Sequence, residues 1–334
     1  MSSYFYNSKP LLSLLFCGII LSSCKKDVPP IIKDGGSENT HVYVAGYESN
    51  GTNNVAKCWI DGQETKLSDG TSNAIGNSVF VSGNDVYIAG SDNGAVYWKN
   101  NAEIRLSGSN ASSIFVSGND VYVGGSDSTN GVYWKNGTKI PLSGNYSVVN
   151  SIFVSGNDVY AAGFDGLNAV YWKNGTEITL IEGNLAGYFW ANSIYVSGND
   201  VYVVGSSRQA GNAFPPLYYW KNGINISIHT LDNYGPGNSV FVSGNDVYIA
   251  GMNESAPPPY IPTAAYWKNG NLTLLSRSEI NSFANSIFVS GNNVYLAGYE
   301  TDLQVSSAVY WKGGIETKLT DGTHDASATS IFAK

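Results

Sequence analysis

Ser151-Ile-Phe-Val-Ser-Gly-Asn-Asp-Val-Tyr-Ala-Ala-Gly163, followed a short loop later by Ala169-Val-Tyr-Trp-Lys-Asn-Gly-Thr-Glu-Ile-Thr-Leu180, decides the fold. Each segment is a run of β-branched and aromatic residues broken by a tight turn, which is the pattern of a strand pair. Asn174-Gly175 tolerates φ > 0 at both central positions, as a two-residue type I′ hairpin requires. Consecutive Val, Tyr and Trp point to opposite faces of a strand. Both faces are therefore apolar or aromatic, so a sheet built this way must be covered on both sides. The segment predicts four strands: Ser-Ile-Phe-Val-Ser, Val-Tyr-Ala-Ala-Gly, Ala-Val-Tyr-Trp-Lys and Glu-Ile-Thr-Leu.

Outward from this stretch, the same text is written seven times. The Trp of the third strand recurs as Trp59, Trp98, Trp134, Trp172, Trp220, Trp267 and Trp311, with spacings of 39, 36, 38, 48, 47 and 44 residues. Such a period is that of a four-stranded propeller blade. The first copy begins at its second strand, His41-Val-Tyr-Val-Ala-Gly46, and the chain ends on an unpartnered first strand, Ser330-Ile-Phe-Ala333. Joined, they complete a seventh sheet. The expected fold is an all-β, seven-bladed β-propeller of four-stranded antiparallel blades, closed by the C-terminal strand pairing with the first repeat. Closure also removes exposed sheet edges.

The composition agrees. Only 13% of the 334 residues are charged, against about 25% in an average domain, and there are 38 Gly, 23 Tyr, 12 Phe and 8 Trp. The formal charge is −8, with no basic stripe, which argues against nucleic acid as a partner because phosphates must be neutralised first.

The N-terminus reads differently. Lys9 precedes the apolar run Leu11–Leu21, too short to span a bilayer and suited to a signal segment. The run ends in Leu21-Ser22-Ser23-Cys24, which resembles the lipobox of bacterial lipoproteins. The resemblance implies cleavage before Cys24 and acylation of that residue, so that residues 1–23 are a signal peptide and 24–40 a lipidated tether. Lys25, rather than Asp, follows Cys24, and the outer membrane is the expected destination, with a periplasmic or surface-facing propeller over residues 41–334. Cys17 leaves with the signal and Cys24 is acylated, so Cys58 has no disulfide partner within one mature chain. It stands where the other copies have Tyr and is expected to act as a small apolar residue in a strand. The repeat itself resembles the tandem propeller repeats of bacterial envelope lipoproteins, over roughly residues 41–334. That likeness implies the fold and names no activity.

Parity fixes which face varies. Turns 1–2 and 3–4 share one face and hardly change from copy to copy, whereas loops 2–3 and 4–1 share the other and carry the variation. Binding residues belong on variable loops held by a rigid scaffold. The longest such loops are consecutive: Ile181–Asn192, Ser206–Leu217, His229–Asn238, Met252–Thr263 and Ser276–Asn285. They gather Tyr188, Phe189, Trp190, Arg208, Phe214, Tyr234 and Tyr260, with Phe283 and Arg277 nearby, as candidate ligand-binding residues. Aromatics beside Arg suit a carbohydrate or protein ligand. The same rings would equally anchor the long loops by packing on one another, and the sequence leaves both readings open.

Two further series recur. Glu48, Asp92, Asp127, Asp165 and Glu300 stand two residues after the strand-2 Gly; they are expected as solvated turn residues, the alternative being a partial acidic ring on the variable face that attracts a cation or a basic partner. Ser78, Ser113, Ser151, Ser193, Ser239, Ser286 and Ser330 open the innermost strands and are expected to cap strand ends around the channel.

Signals for chemistry are sparse. Of the three His, His41 begins a strand 2 toward the constant face, whereas His229 and His324 sit in 4–1 loops of well-separated blades, so no triad or His-based metal site follows, and no cofactor is expected. Gly90-Ser-Asp-Asn-Gly-Ala-Val-Tyr-Trp98 resembles a sialidase Asp-box, but its Trp falls one residue late and it lies in a 2–3 loop. The expectation is a monomeric, non-catalytic binding or scaffold propeller held at the envelope by its lipid. The alternative is a glycan-acting hydrolase or lyase using paired carboxylates on the variable face, such as Asp165 and Glu182.

Overall fold

A computed structural model of the protein describes residues 40–142, 144, 146–184, 187–209, 216–226, 234–254, 261–275, 280–302 and 304–334. Cys24, Phe214, Tyr260 and Arg277 lie outside them, as does the side chain of Tyr234.

Seven four-stranded antiparallel sheets follow one another, and the expected closure is present. Blade 1 runs over Ala74–Arg105, blade 2 over Asn110–Pro141, blade 3 over Ser147–Ile181, blade 4 over Gly187–Asn225, blade 5 over Tyr234–Leu274 and blade 6 over Asn281–Lys318. Blade 7 pairs the C-terminal strand Ala326–Ala333 with Val42–Ser49, and adds Asn54–Ile60 and Gln63–Lys66. His41 and Lys334 exchange backbone hydrogen bonds of 2.7 and 3.0 Å, fastening the two ends of the described chain together.

The turns have the predicted chemistry. Asn136, Asn174, Asn222 and Asn269 lie at φ of 50–52° and each is followed by a Gly at φ of 78–84°, so both central residues of these 3–4 hairpins are left-handed. In blades 1 to 5 the turn Asn also ties the constant face. In blade 1, Asn100 Oδ1 accepts the Val86 N–H and its amide donates to Asp85, whose other oxygen meets Lys99 at 2.8 Å. Blade 7 keeps the clasp with its parts exchanged: Asp61 takes the Asn place and accepts the Val42 N–H, and His41 takes the Asp place at 2.6 Å.

The core sits between blades, not within them. Each seam holds one repeat Trp, at 0–1% exposure, among Val, Ile and Ala from both neighbours. The indole N–H groups of Trp59, Trp98, Trp134, Trp220 and Trp311 are buried without an acceptor. An unmet donor costs about 1–3 kcal/mol. Burying an aromatic of 150–250 Å² returns roughly 4–6 kcal/mol at 25 cal/mol per Å², so the ring's area outweighs its polar atom. Cys58 is buried in its strand as expected, and burial pushes its thiol pKa up to about 12.

Three expectations about strand 1 and its surroundings are corrected. First, strand 1 is longer than predicted and contains a bulge one residue before the recurrent Ser. The bulge drives a strand-1 carbonyl toward strand 2, and a Cβ on the facing Gly (46, 90, 125, 163, 205, 251 or 298) would lie well inside 3.0 Å of that oxygen. This is why strand 2 carries Gly at that place. Second, the recurrent Ser residues do not cap strand ends. Each Oγ accepts a backbone N–H from the next blade at 3.1–3.3 Å, and the seven bonds close a ring. Bulge residues Asn77, Asn150, Asn192, Asn238 and Asn285 reach across to a carbonyl of the next blade at 2.8–2.9 Å. Third, the acidic series is not a set of solvated turn residues. These side chains end strand 2, and Asp92 and Glu300 are 7% exposed.

Two residues beyond each recurrent Ser stands an aromatic. Phe80, Phe115, Phe153, Tyr195, Phe241, Phe288 and Phe332 form a closed belt, with centroids 4.5–5.2 Å apart and interplanar angles of 40–56°. A seven-fold rotation turns each ring by about 51° against the next, so the belt is one ring copied around the axis.

Candidate functional site

Blade 4 departs most from the repeat. Its first two strands, Gly187–Ser197 and Asp200–Gln209, extend further on the variable side, and the registers Tyr188↔Arg208 and Trp190↔Ser206 belong to that extension. Tyr188, Phe189 and Trp190 are therefore strand residues rather than loop residues, since a longer inner hairpin absorbs most of what the sequence presented as a 4–1 loop. Alternation then separates them. Tyr188, Trp190 and Arg208 share one face of the hairpin, and Phe189 takes the other.

The two faces have different fates. Phe189 is 8% exposed and packs edge-on to Tyr218 at 5.5 Å, and Tyr218 stacks on Trp220 at 5.6 Å and 13°. That aromatic stack anchors the hairpin to the seam between blades 3 and 4. On the opposite face Tyr188 is 40% exposed, Trp190 is half-buried, and their rings lie 5.4 Å apart at 35°. Arg208 is exposed and has no ion pair among the described residues. The result is a shallow, tilted aromatic platform with a guanidinium at its edge. Phe283, expected in the same rim, instead stacks on Tyr299 at 4.7 Å in blade 6.

The acidic residues are engaged with their own blades. Glu48 and Glu64 both hold the buried Lys57, Asp127 meets Lys139 at 2.5 Å, and Ser72 donates to Asp92. Arg105 bridges Glu103 at 2.8 Å and the Asp92 carbonyl at 2.8 Å. Blade 6 lacks such a cation. Val309 stands where blade 7 has Lys57, and Glu300 is left hydrogen-bonded to Glu316. Burial, then the Glu316 charge and hydrogen bond, raise the Glu300 carboxyl to about 7, with Lys318 opposing. Two carboxyls in direct contact leave no room for a sugar between them, unlike the separations of about 5 Å or more that glycosidases use. Glu254 in blade 5 is also buried, with one carboxyl oxygen that has no hydrogen-bond partner among the described residues, and burial raises its pKa. Neither carboxyl stood out in the sequence as perturbed, because burial and the missing cation are properties of packed blades. Among the described residues no group of three or more His, Cys, Asp or Glu could hold a metal ion, and no helix is long and apolar enough to cross a membrane.

The architecture defines the class: a closed, seven-bladed β-propeller. Among solved structures, the chain is similar to the β-propeller domain of the Trilobed protease from Pyrococcus furiosus, at 12% identity and a TM-score of 0.51, covering 85% of this chain and 95% of that one. At that identity the likeness concerns the fold alone. That domain is described as having an open velcro topology, whereas here the C-terminal strand pairs with the first repeat. No family model matches the sequence, and no curated protein matches it.

Proposed function

We propose that this chain is an envelope-anchored lipoprotein whose propeller binds a carbohydrate or protein ligand without catalysing a reaction, and that the ligand sits on the blade-4 platform. The observation that carries the reading is the pairing of two accessible aromatics with an Arg that has no ion pair among the described residues, on a hairpin that is itself anchored from behind by Phe189 and Tyr218. A rigid aromatic surface loses little entropy on binding. The membrane attachment rests on the lipobox-like Leu21–Cys24, with Cys24 acylated and the outer membrane as its site. The propeller is taken to act as a monomer, with a glycan as the preferred ligand because the platform is shallow and open.

A glycan array and a pull-down on the full chain test this together. Trp190→Ala and Tyr188→Ala are expected to weaken the selected ligand by about thirtyfold, the equivalent of roughly 2 kcal/mol, while leaving the melting temperature nearly unchanged. Trp98→Ala, in a seam, is expected to damage folding. Variants of Trp190 and Tyr188 that melt early and keep their affinity would reduce the platform to a packing feature.

A further inference from the structure

We propose that the blade-4 platform selects a pyranose bearing a carboxylate, a uronic-acid-type residue, with the sugar ring on Trp190 and Tyr188 and the carboxylate on the Arg208 guanidinium. This rests on the glycan reading above and names the chemistry of its ligand.

Three features of the site point there. Tyr188 and Arg208 are directly opposite each other across the hairpin. Such a pair sets the Cβ atoms about 5 Å apart on one face, so the guanidinium stem runs beside the ring that would carry the sugar. A guanidinium presents a planar fork that matches a carboxylate through two parallel hydrogen bonds. A hexuronate carries its carboxylate at the edge of the pyranose, in reach of a group beside the platform rather than beneath it.

Second, Arg208 is available. Arg105 is committed to Glu103 and to the Asp92 carbonyl. Lys57, Lys99, Lys135, Lys139, Lys173, Lys221 and Lys268 all sit in ion pairs. Lys66, Lys312, Lys318 and Lys334 share with Arg208 the lack of an ion pair among the described residues, but of the two described guanidiniums Arg208 alone has no carboxylate partner there.

Third, the platform face of the hairpin carries no carboxylate among its described residues. Opposite Trp190 on that face stands Ser206, which accepts a hydrogen bond from the Asn192 amide. No acid of the hairpin's own platform face therefore competes for Arg208.

The test titrates the full chain with short oligomers of galacturonate, glucuronate and mannuronate, each matched by its carboxyl-reduced, neutral counterpart. At least one acidic oligomer is expected to bind tenfold or more tightly than its neutral match, with the preference shrinking as salt rises. Arg208→Gln should abolish the preference, bringing the acidic oligomer down to the affinity of its neutral match, and leave the melting temperature unchanged. Trp190→Ala should weaken both members of the pair. Equal affinity for acid and neutral sugars, or a preference that survives Arg208→Gln, overturns this inference and leaves the glycan reading standing. Binding of no sugar, charged or neutral, overturns both.

Discussion

At the scale of the residue, the repeat shows what one substitution does when all around it is held constant. Glu48 and Glu300 stand at the same place after the strand-2 Gly, and Glu64 and Glu316 at the same place on the outer strand. In blade 7 the buried Lys57 sits between the two acids, whereas in blade 6 that position is Val309 and the acids share a hydrogen bond instead. The folded-state carboxyl of Glu300 thus keeps its proton to a higher pH than in the unfolded chain. Its stabilising contribution is present in full below the unfolded value, about 4.3, and is lost as pH rises through about 7. Glu300→Gln removes that dependence. It should raise stability at pH 8 by on the order of 1–2 kcal/mol, or a few degrees in melting temperature, and flatten the decline between pH 4.5 and 7. A variant less stable than the parent at pH 8 would mean that the pair is not under strain.

At the scale of the element, the strands and hairpins were legible and the bulge was not. Asn-Gly between Trp-Lys and Glu-Ile specified the 3–4 turn because few other pairs accept two left-handed residues. The recurring Asn-Ser, as in Asn150-Ser151 and Asn192-Ser193, looked like the end of a loop because polar residues favour loops. The structure places it in the strand. The Asn is the extra residue, and its amide and the following hydroxyl satisfy backbone groups of the next blade. A signal was present, since a polar pair kept in every blade beside a Gly in strand 2 marks a bulge, but it is read only when strands 1 and 2 are placed side by side. The C-terminal strand is the element with most at stake. Ile331 is 3% exposed in the seam between blades 6 and 7, and Phe332 completes the aromatic belt. Deleting Ser330–Lys334 removes both, bares the edge of Val42–Ala45 and opens the ring of serine bonds. Burial of the two side chains alone is worth about 3–5 kcal/mol, a large share of a typical margin of 5–15 kcal/mol. The truncated chain should melt at least 10 °C lower or aggregate. An unchanged melting curve would show that the ring does not depend on this strand.

At the scale of the whole molecule, seven seams with one buried Trp each make a rigid disc, and that rigidity would hold a single irregular hairpin in place as the proposed site. The disc was readable from seven Trp at blade-like intervals. The site was half readable. Length and aromatic content singled out the sector that holds the proposed platform, but the division of Tyr188 and Trp190 from Phe189 depended on which residues enter the strand, and alternation has no meaning until that is known. The molecule also supplies its own reporter. Seven of its eight Trp are at 0–1% exposure and Trp190 is half-buried on the platform. Acrylamide quenching of tryptophan emission, with and without a saturating concentration of the glycan selected on the array, therefore tests the seams and the site in one measurement. The account predicts a single minor quenchable fraction that is absent in Trp190→Phe and is shielded by the bound sugar. Quenching spread over several indoles, or a Trp190 fraction that stays as accessible under saturating ligand, would contradict it.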